Sequence, residues 1–178
     1  MTDKELIEGC IREDKHCQKM LFQRYVGKMM TVCRRYARHQ LEAEDVLQDA
    51  FIKVFDKINT FSFNGSFEGW IRRIVVNTAL KNIQKSSFQK EQIGIENYPE
   101  NSLEPSIFAQ LHEEELLNLI AGLPEGYRIV FNLYVIEGFS HKEIGATLNI
   151  EESTSRSQLL KARKMLQARI IKLQKVSA

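Results

Sequence analysis

The stretch HKEIGATLNIEESTSRSQLLKARKML, from His141 to Leu166, decides the fold of its half of the chain. Apolar residues four apart predict a short first helix. Ser140 precedes it, and Glu143 three residues later predicts a capping box at the helix start. Asn149 suits a tight turn, and a longer pattern of helical spacing follows it. The stretch therefore predicts two helices joined by a sharp turn.

The second helix of this stretch has two different sides. A rotation of 100° per residue places small and apolar residues on one side, namely Ser155, Leu159, Ala162 and Leu166. The other side carries hydroxyls first and cations later, namely Ser153, Thr154, Ser157, Lys161 and Lys164, with Arg156 and Gln158 flanking it. Short donors allow close approach to DNA, Arg and Gln pair with base edges, and Lys binds phosphate. The pattern favours a helix-turn-helix that reads DNA, with a packed hairpin and a solvated basic face as the alternative.

Helical spacing recurs along the rest of the chain, whereas strand alternation does not persist. We therefore predict an all-α fold. The predicted helices are Asp3–Glu13, His16–His39, Glu42–Ile58, Phe67–Gln84, Ile107–Ala121, Glu125–Glu137, His141–Leu148 and Glu152–Lys172. Two of the three prolines fall in residues 87–106, which we predict to be a flexible linker between helical domains at 1–86 and 107–178.

The charge is segregated along the chain, although the net charge is only +2. Residues Glu91 to Glu115 include seven Glu and no cation, whereas Ser153 to Ala178 include seven Lys or Arg and no acid. Five further cations without an acid lie between Ile71 and Lys90. Such separation favours contact of the basic parts with a polyanion, although solvated faces are the ordinary alternative.

Several functional classes are disfavoured. No apolar run approaches the roughly 20 residues of a membrane span, so we expect a cytoplasmic protein without membrane insertion. The odd number of cysteines and the absence of a CxxC motif argue against a disulfide framework or a zinc ribbon. Cys10, His16 and Cys17 could form a fragment of a metal site, but buried or idle thiols on a helix are the favoured interpretation. The four histidines lack zinc-protease or nucleophile signatures, so we expect no enzyme, no metal and no cofactor.

The predicted helix Glu42–Ile58 carries an acidic face opposite its apolar stripe. Asp45, Gln48, Asp49 and Ile52 lie together on that face, and the two aspartates are four residues apart. Such a like-charge pair weakens an isolated helix. The combination would suit docking on a basic protein surface, with a solvated acidic face as the alternative.

The predicted helix Phe67–Gln84 carries a polar stripe of Arg73, Asn77, Lys81 and Gln84, bordered by the only tryptophan, Trp70. The loop TFSFNGSF before it adds aromatic residues. Aromatic rings beside cations hold unstacked single-stranded bases. For most of these rings, a place in the core is the simpler expectation.

Three segments in this order resemble one family. EAEDVLQDAF is similar to region 2.2 of the bacterial sigma-70 family, and FEGWIRRIVVNTALKNIQK is similar to its regions 2.3 and 2.4. The stretch LPEGYRIVFNLYVIEGFSHKEIGATLNIEESTSRSQLLKARKML resembles region 4. The chain thereby resembles an RNA polymerase sigma factor of the small extracytoplasmic-function group.

The resemblance implies three surfaces. The first binds core RNA polymerase through region 2.2, and this maps to Asp45, Gln48, Asp49 and Ile52. The second holds the melted −10 promoter element, and this maps to Trp70, Arg73, Asn77 and Lys81. The third reads the duplex −35 element, and this maps to Ser153, Thr154, Arg156, Ser157, Gln158, Lys161 and Arg163. The resemblance also suggests an anti-sigma protein as a partner. Departures from the family pattern, such as Ser153, Gln158 and Lys81, leave the promoter sequence open.

Two other classes stay open from the residues alone. A free-standing helix-turn-helix regulator would bind a palindrome tightly and would have no affinity for polymerase. An interaction module, such as an adaptor, would have no direct role on DNA.

Overall fold

The computed structural model describes residues 1–87 and 113–176. Within them the chain forms eight α-helices and no strand, which confirms the all-α prediction. The chain divides into two compact units, Met1–Gln92 and Ile93–Ala178. In the described part, no helix is both long and apolar enough to cross a membrane.

The N-terminal unit is a helical bundle built around one long helix. Its α-helices are α1 (Asp3–Ile11), α2 (Lys15–Tyr36), α3 (Gln40–Lys57) and α4 (Phe67–Ser87), and a 3-10 turn follows α3 at Ile58–Thr60. The long helix α2 packs against α1, α3 and α4, and α3 also packs against α4. The fully buried side chains of the unit include Leu6, Leu21, Val54 and Ile71.

Local signals in the sequence fix where these helices begin. Thr2 and Glu5 form a capping box at α1. The Asp14 carboxylate accepts hydrogen bonds from the backbone N–H groups of His16 and Cys17 at the start of α2. His39 caps α3 by accepting from the backbone of Glu42, which explains why α2 ends at Tyr36, short of the predicted His39.

The C-terminal unit places its longest helix against three shorter ones. Its helices are α5 (Glu113–Ala121), α6 (Glu125–Phe131), α7 (His141–Leu148) and α8 (Glu152–Val176). The long helix α8 packs against α5, α6 and α7. Its buried residues include Ser155, Leu159, Ala162 and Leu166, as the spacing predicted.

One prediction in this unit was too simple. The single helix expected at Glu125–Glu137 is α6 followed by a turn of π-helix at Asn132–Ile136. The backbone N–H of Glu137 donates to the carbonyl of Asn132, five residues back, at 3.0 Å. Gly138 then leaves the helix with a positive φ of 75°. Apolar spacing alone does not distinguish such a widened turn from an α-helix.

The remaining differences are at the ends of elements. The helix α8 runs to Val176, four residues past the predicted end. Part of the helix predicted at Ile107–Ala121 lies outside the described residues, as does the predicted linker 87–106 apart from Ser87, which ends α4.

Candidate functional site

The acidic face of α3 is open to solvent. Asp45, Gln48 and Asp49 are exposed, and Ile52 exposes 60% of its surface. The opposite side of the helix is buried against α2 and α4. Lys53 adds a tether to α4, because its ammonium donates to the Thr78 hydroxyl at 3.1 Å. The helix therefore presents two carboxylates, an amide and an apolar side chain on one rigidly held surface.

The polar stripe of α4 is also exposed. Arg73, Asn77 and Lys81 all lie at the surface, whereas Ile71 and Val75 on the other side are fully buried. In the first turn of α4, the Glu68 carboxylate forms an ion pair with the Lys28 ammonium of α2 at 2.6 Å. The structure thus separates a core side of α4 from a cationic side.

An aromatic cluster adjoins the first turn of α4. Trp70 stacks on Phe67, with ring centroids 5.5 Å apart and planes 15° from parallel, and Phe61 contacts both rings. Phe61 and Phe67 are buried and Trp70 is half-buried. The expectation that most of these rings belong to the core is confirmed for Phe61 and Phe67.

Phe63 differs from the other rings in this cluster. It is 49% exposed, and its centroid lies 5.1 Å from that of Phe61. Its φ is +59°, a left-handed conformation that is uncommon for a bulky residue. Such conformations cost about 1–3 kcal/mol and cluster at functional sites. The loop thereby holds an aromatic ring at the surface, beside the cluster that contains Trp70.

The helix-turn-helix prediction is confirmed in its local geometry. The capping box of Ser140 and Glu143 is present at the start of α7. Asn149 ends the helix in the left-handed region, with φ 55° and ψ 48°. Gly145 lets the turn close, because a Cβ there would lie 2.8 Å from the Ile150 carbonyl oxygen. The backbone N–H of Ile150 donates to the carbonyl of Gly145 at 3.0 Å.

The polar side of α8 is exposed with two half-buried members. Ser153, Arg156, Ser157, Lys161 and Arg163 are exposed, whereas Thr154 and Gln158 are half-buried. Two members of this face contact neighbouring groups. Arg156 forms an ion pair with Glu152 one turn earlier. The Gln158 amide lies so close to α6 that a Cβ at Gly126 would come within 3.4 Å of it.

The three cysteines are buried and free. Burial raises the pKa of the Cys10 thiol to about 11 and that of Cys33 to about 12, so both remain protonated at neutral pH. Among the described residues, no three His, Cys, Asp or Glu side chains are grouped so that they could hold a metal ion.

Comparison with protein families identifies both units. The family model described as Sigma-70 region 2 matches residues 21–88, which include α3 and α4. The model described as Sigma-70, region 4 matches residues 113–166, which include the helix-turn-helix. The chain belongs to the sigma-70 family.

Similar proteins place this sigma factor in the extracytoplasmic-function (ECF) group. The ECF RNA polymerase sigma-E factor of Haemophilus influenzae is 28% identical, with 96% of each chain covered. The protein of the same description from Escherichia coli K12 is 27% identical, with 96% of this chain and 95% of that one covered. As a sigma factor, the chain serves promoter-specific initiation of transcription.

Solved structures share the fold at low identity. CnrH, solved in complex with the cytosolic domain of CnrY, has a TM-score of 0.50 at 20% identity and covers 94% of this sigma factor and 96% of its own chain. The sigma factor RpoE from Bartonella quintana, solved in complex with the anti-sigma factor NepR, has a TM-score of 0.53 at 20% identity. That match covers 86% of this chain and 96% of RpoE.

Two groups of residues in the sigma factor escaped the sequence analysis. Phe63 was one of several loop aromatics, and only its backbone conformation sets it apart. Tyr134 and His141 carried no motif, yet their rings stack with centroids 4.4 Å apart next to α8. Sequence spacing gave no signal for this pair. Tyr134 lies in the π-helical turn, which was not predicted, and that turn determines the position of its ring.

Proposed function

We propose that this sigma factor docks on core RNA polymerase through α3, holds the melted −10 strand at α4 and reads the −35 duplex with α8. The observation that carries the proposal is that most residues of each of the three faces are exposed while the opposite side of its helix is buried. The two family matches support assigning residues 1–86 to region 2 and residues 107–178 to region 4.

The polymerase-binding surface consists of Asp45, Gln48, Asp49 and Ile52. Among the described residues, neither aspartate has a cation partner. Their repulsion costs a lone helix a few tenths of a kcal/mol, so an acidic pair here is explained better by a basic partner than by stability. Ile52 supplies apolar area that a partner can cover, with charged groups around it for orientation.

The −10 surface consists of Trp70, Arg73, Asn77 and Lys81, and we add Phe63 to it. Arg73 and Lys81 are exposed to solvent, so they can bind the phosphates of a DNA backbone. The exposed ring of Phe63 offers a stacking platform for an unstacked base, which contributes about 1–3 kcal/mol per base in single-strand binding. Trp70 supports this platform through Phe61.

The −35 surface lies on the polar side of α8. Its proposed members are Ser153, Thr154, Arg156, Ser157, Gln158, Lys161 and Arg163. The sharp turn at Asn149 lets the first turns of α8 enter a major groove, as in other helix-turn-helix proteins. Because Arg156 is paired with Glu152, its guanidinium must exchange that carboxylate for a base or phosphate on binding.

The wider role follows from these surfaces. We place the protein in the cytoplasm, where it would act as a specificity subunit with no catalytic chemistry and no cofactor of its own. An anti-sigma protein is a further proposed partner, because the similar RpoE was solved with one.

Gel filtration with core RNA polymerase tests the proposed docking. The native chain should co-elute with core enzyme, and an Asp45→Lys, Asp49→Lys form should not, since reversed charges would face the same basic partner. Glu8→Lys is the matched control, because Glu8 is an exposed acid of the same unit on α1. Failure of the native chain to co-elute would contradict the proposal and favour a free-standing helix-turn-helix regulator.

A further inference from the structure

Four side chains from three elements form a continuous stack along α8. His141, the first residue of α7, hydrogen-bonds through Nδ1 to the Ser155 hydroxyl at 2.9 Å. The Tyr134 ring, from the π-helical turn, stacks on the His141 ring with planes 20° apart. The Arg163 guanidinium then lies over the Tyr134 ring, 5.9 Å from its centroid.

The two ends of this stack lie in different environments. Ser155 is completely buried in the first turn of α8, whereas Arg163 is exposed two turns further along. Since residues eight apart on a helix are about 12 Å apart along its axis, the stack runs beside the segment of α8 that is proposed to enter the groove. Tyr134 links the two ends, because its ring touches both His141 and Arg163.

The surroundings of His141 favour the uncharged form of its imidazole, at the centre of the stack. Burial and the cations Arg156 and Arg163 lower the pKa of His141, and Glu152 opposes them. The imidazole is therefore uncharged at neutral pH and does not repel Arg163 across the Tyr134 ring. The aromatic pair is thus a platform on which a guanidinium can rest without a carboxylate partner.

This platform distinguishes Arg163 from the other arginine on the same face. Arg156 is held by Glu152 and must give up an ion pair to bind DNA. Arg163 is held by a ring that leaves its N–H donors available, and a guanidinium restrained in this way loses less entropy on binding. The ring thus restrains the Arg163 guanidinium while leaving its positive charge available to bind a phosphate.

We propose that Tyr134 is a positioning residue for DNA recognition, which holds the Arg163 guanidinium over its ring for contact with a phosphate of the duplex. His141 fixes the opposite face of that ring and ties it to Ser155. The inference rests on the proposed −35 surface, and it adds an uncharged residue outside the helix-turn-helix to the determinants of phosphate contact.

The test is the salt dependence of duplex binding by the full chain. The probe is a fluorescent duplex that the native chain selects from a random-sequence pool, and anisotropy gives the affinity across salt concentrations. The slope of log affinity against log salt is negative, and one lost phosphate contact reduces its magnitude by about 0.9. Arg163→Ala should show this loss, and Tyr134→Leu should show it as well. Because Tyr134 is uncharged, its effect on the slope must act through the cation that it positions.

A double-mutant cycle makes the inference specific. Tyr134→Leu combined with Arg163→Ala should reduce the magnitude of the slope no further than either change alone, since both remove the same contact. Tyr134→Phe should behave like the native chain, because it keeps the ring. Tyr127→Leu is the matched control, since Tyr127 is a half-buried tyrosine of the same unit on α6.

Each other outcome overturns part of the proposal. A native slope in Tyr134→Leu, or an additive loss in the double variant, would overturn the positioning role. A native slope in Arg163→Ala would overturn the phosphate contact itself. Selection of no duplex by the native chain would instead contradict the −35 surface. If circular dichroism finds Tyr134→Leu unfolded, Tyr134→Met replaces it, because an unbranched side chain fills the gap with less strain.

Discussion

Gly145 sits where the end of α7 meets the chain entering α8. Its missing side chain leaves the space in which the Ile150 carbonyl lies, 2.8 Å from the position of a Cβ. That carbonyl belongs to backbone and cannot rotate away as a side chain would. The close contact at Gly145 is therefore with the turn of its own motif.

Gly145→Ala should destabilise the helix-turn-helix. Overpacking against a backbone atom costs about 1–3 kcal/mol, and the better helix propensity of Ala offsets about 1 kcal/mol of it. Hydrogen-exchange protection of the α7 and α8 amides should therefore fall in the full chain. Gly27→Ala, in the exposed middle of α2, meets nothing within 4 Å. It should instead stabilise α2 by about 0.4–1 kcal/mol. Unchanged protection in Gly145→Ala would contradict the close approach.

His141 should make the C-terminal unit sensitive to acid. Its pKa in the folded state is lowered, chiefly by burial, so the unfolded chain binds more protons between the two pKa values. Stability is therefore fully present above the ordinary histidine pKa of about 6.5 and decreases as the pH falls through that value toward the lower one. Hydrogen exchange of α8 amides at a series of pH values measures the effect.

The control for this pH dependence is His141→Asn, which keeps a polar partner for Ser155 and removes the titration. Its α8 amides should lose less stability over the same pH range than those of the native chain. An equal loss in both proteins would assign the acid sensitivity to other groups.

The helix α3 carries an exposed face that does not favour the stability of the helix itself. Packing of the buried side does not require particular polar residues on the exposed face. Even so, Asp45 and Asp49 lie four residues apart on that face, and Ile52 is exposed there. Local choices that disagree with stability are expected at functional surfaces. This conflict was readable in the sequence, because helical spacing alone places the three residues on one face.

Asp45→Lys should stabilise the free protein and weaken its binding to polymerase. The introduced ammonium would then form a favourable pair with the Asp49 carboxylate, four residues later, which contributes about 0.2–0.5 kcal/mol at low salt. The midpoint of urea unfolding of the N-terminal unit, followed by Trp70 fluorescence, should rise slightly, while the affinity for core polymerase falls. A variant that binds polymerase as well as the native chain would remove Asp45 from the docking surface.

Helices with strong end signals were predictable, and those shaped by tertiary packing were not. The bounds of α7 follow from the box at Ser140 and the left-handed Asn149, and the predicted helix matches the observed one. The π-helical turn at Asn132–Ile136 was missed, because its sequence NLYVI has no residue that marks a widened turn. The stack on Tyr134 depends on that turn and was missed with it.

At the scale of the whole molecule, the order of the two sigma-70 regions was readable from the sequence. The two family matches cover the segments that the resemblance named. Conformation within loops was not readable: Phe63 has φ +59°, and nothing in TFSFNGSF separates it from the buried Phe61. Composition and spacing locate a surface, whereas individual contacts depend on backbone angles that only the folded chain fixes.

The exposed ring in this loop gives a prediction for the assembled holoenzyme. Phe63→Ala should slow promoter opening while leaving duplex binding unchanged, because it removes a stacking platform of about 1–3 kcal/mol for one unpaired base. Permanganate footprinting of unpaired thymines on a selected promoter measures opening. A premelted −10 region should largely restore transcription if the ring assists opening. Normal opening by Phe63→Ala would remove this residue from the −10 surface.

The most direct test of the central claim is transcription by core RNA polymerase reconstituted with this chain on a pool of random promoter-length templates. We expect transcripts with defined start sites, and the templates that yield them should share two separated sequence elements. Neither transcripts nor shared elements should appear without the chain. If the chain instead enriches a palindromic duplex on its own and leaves core polymerase without defined starts, the promoter-specificity function is contradicted.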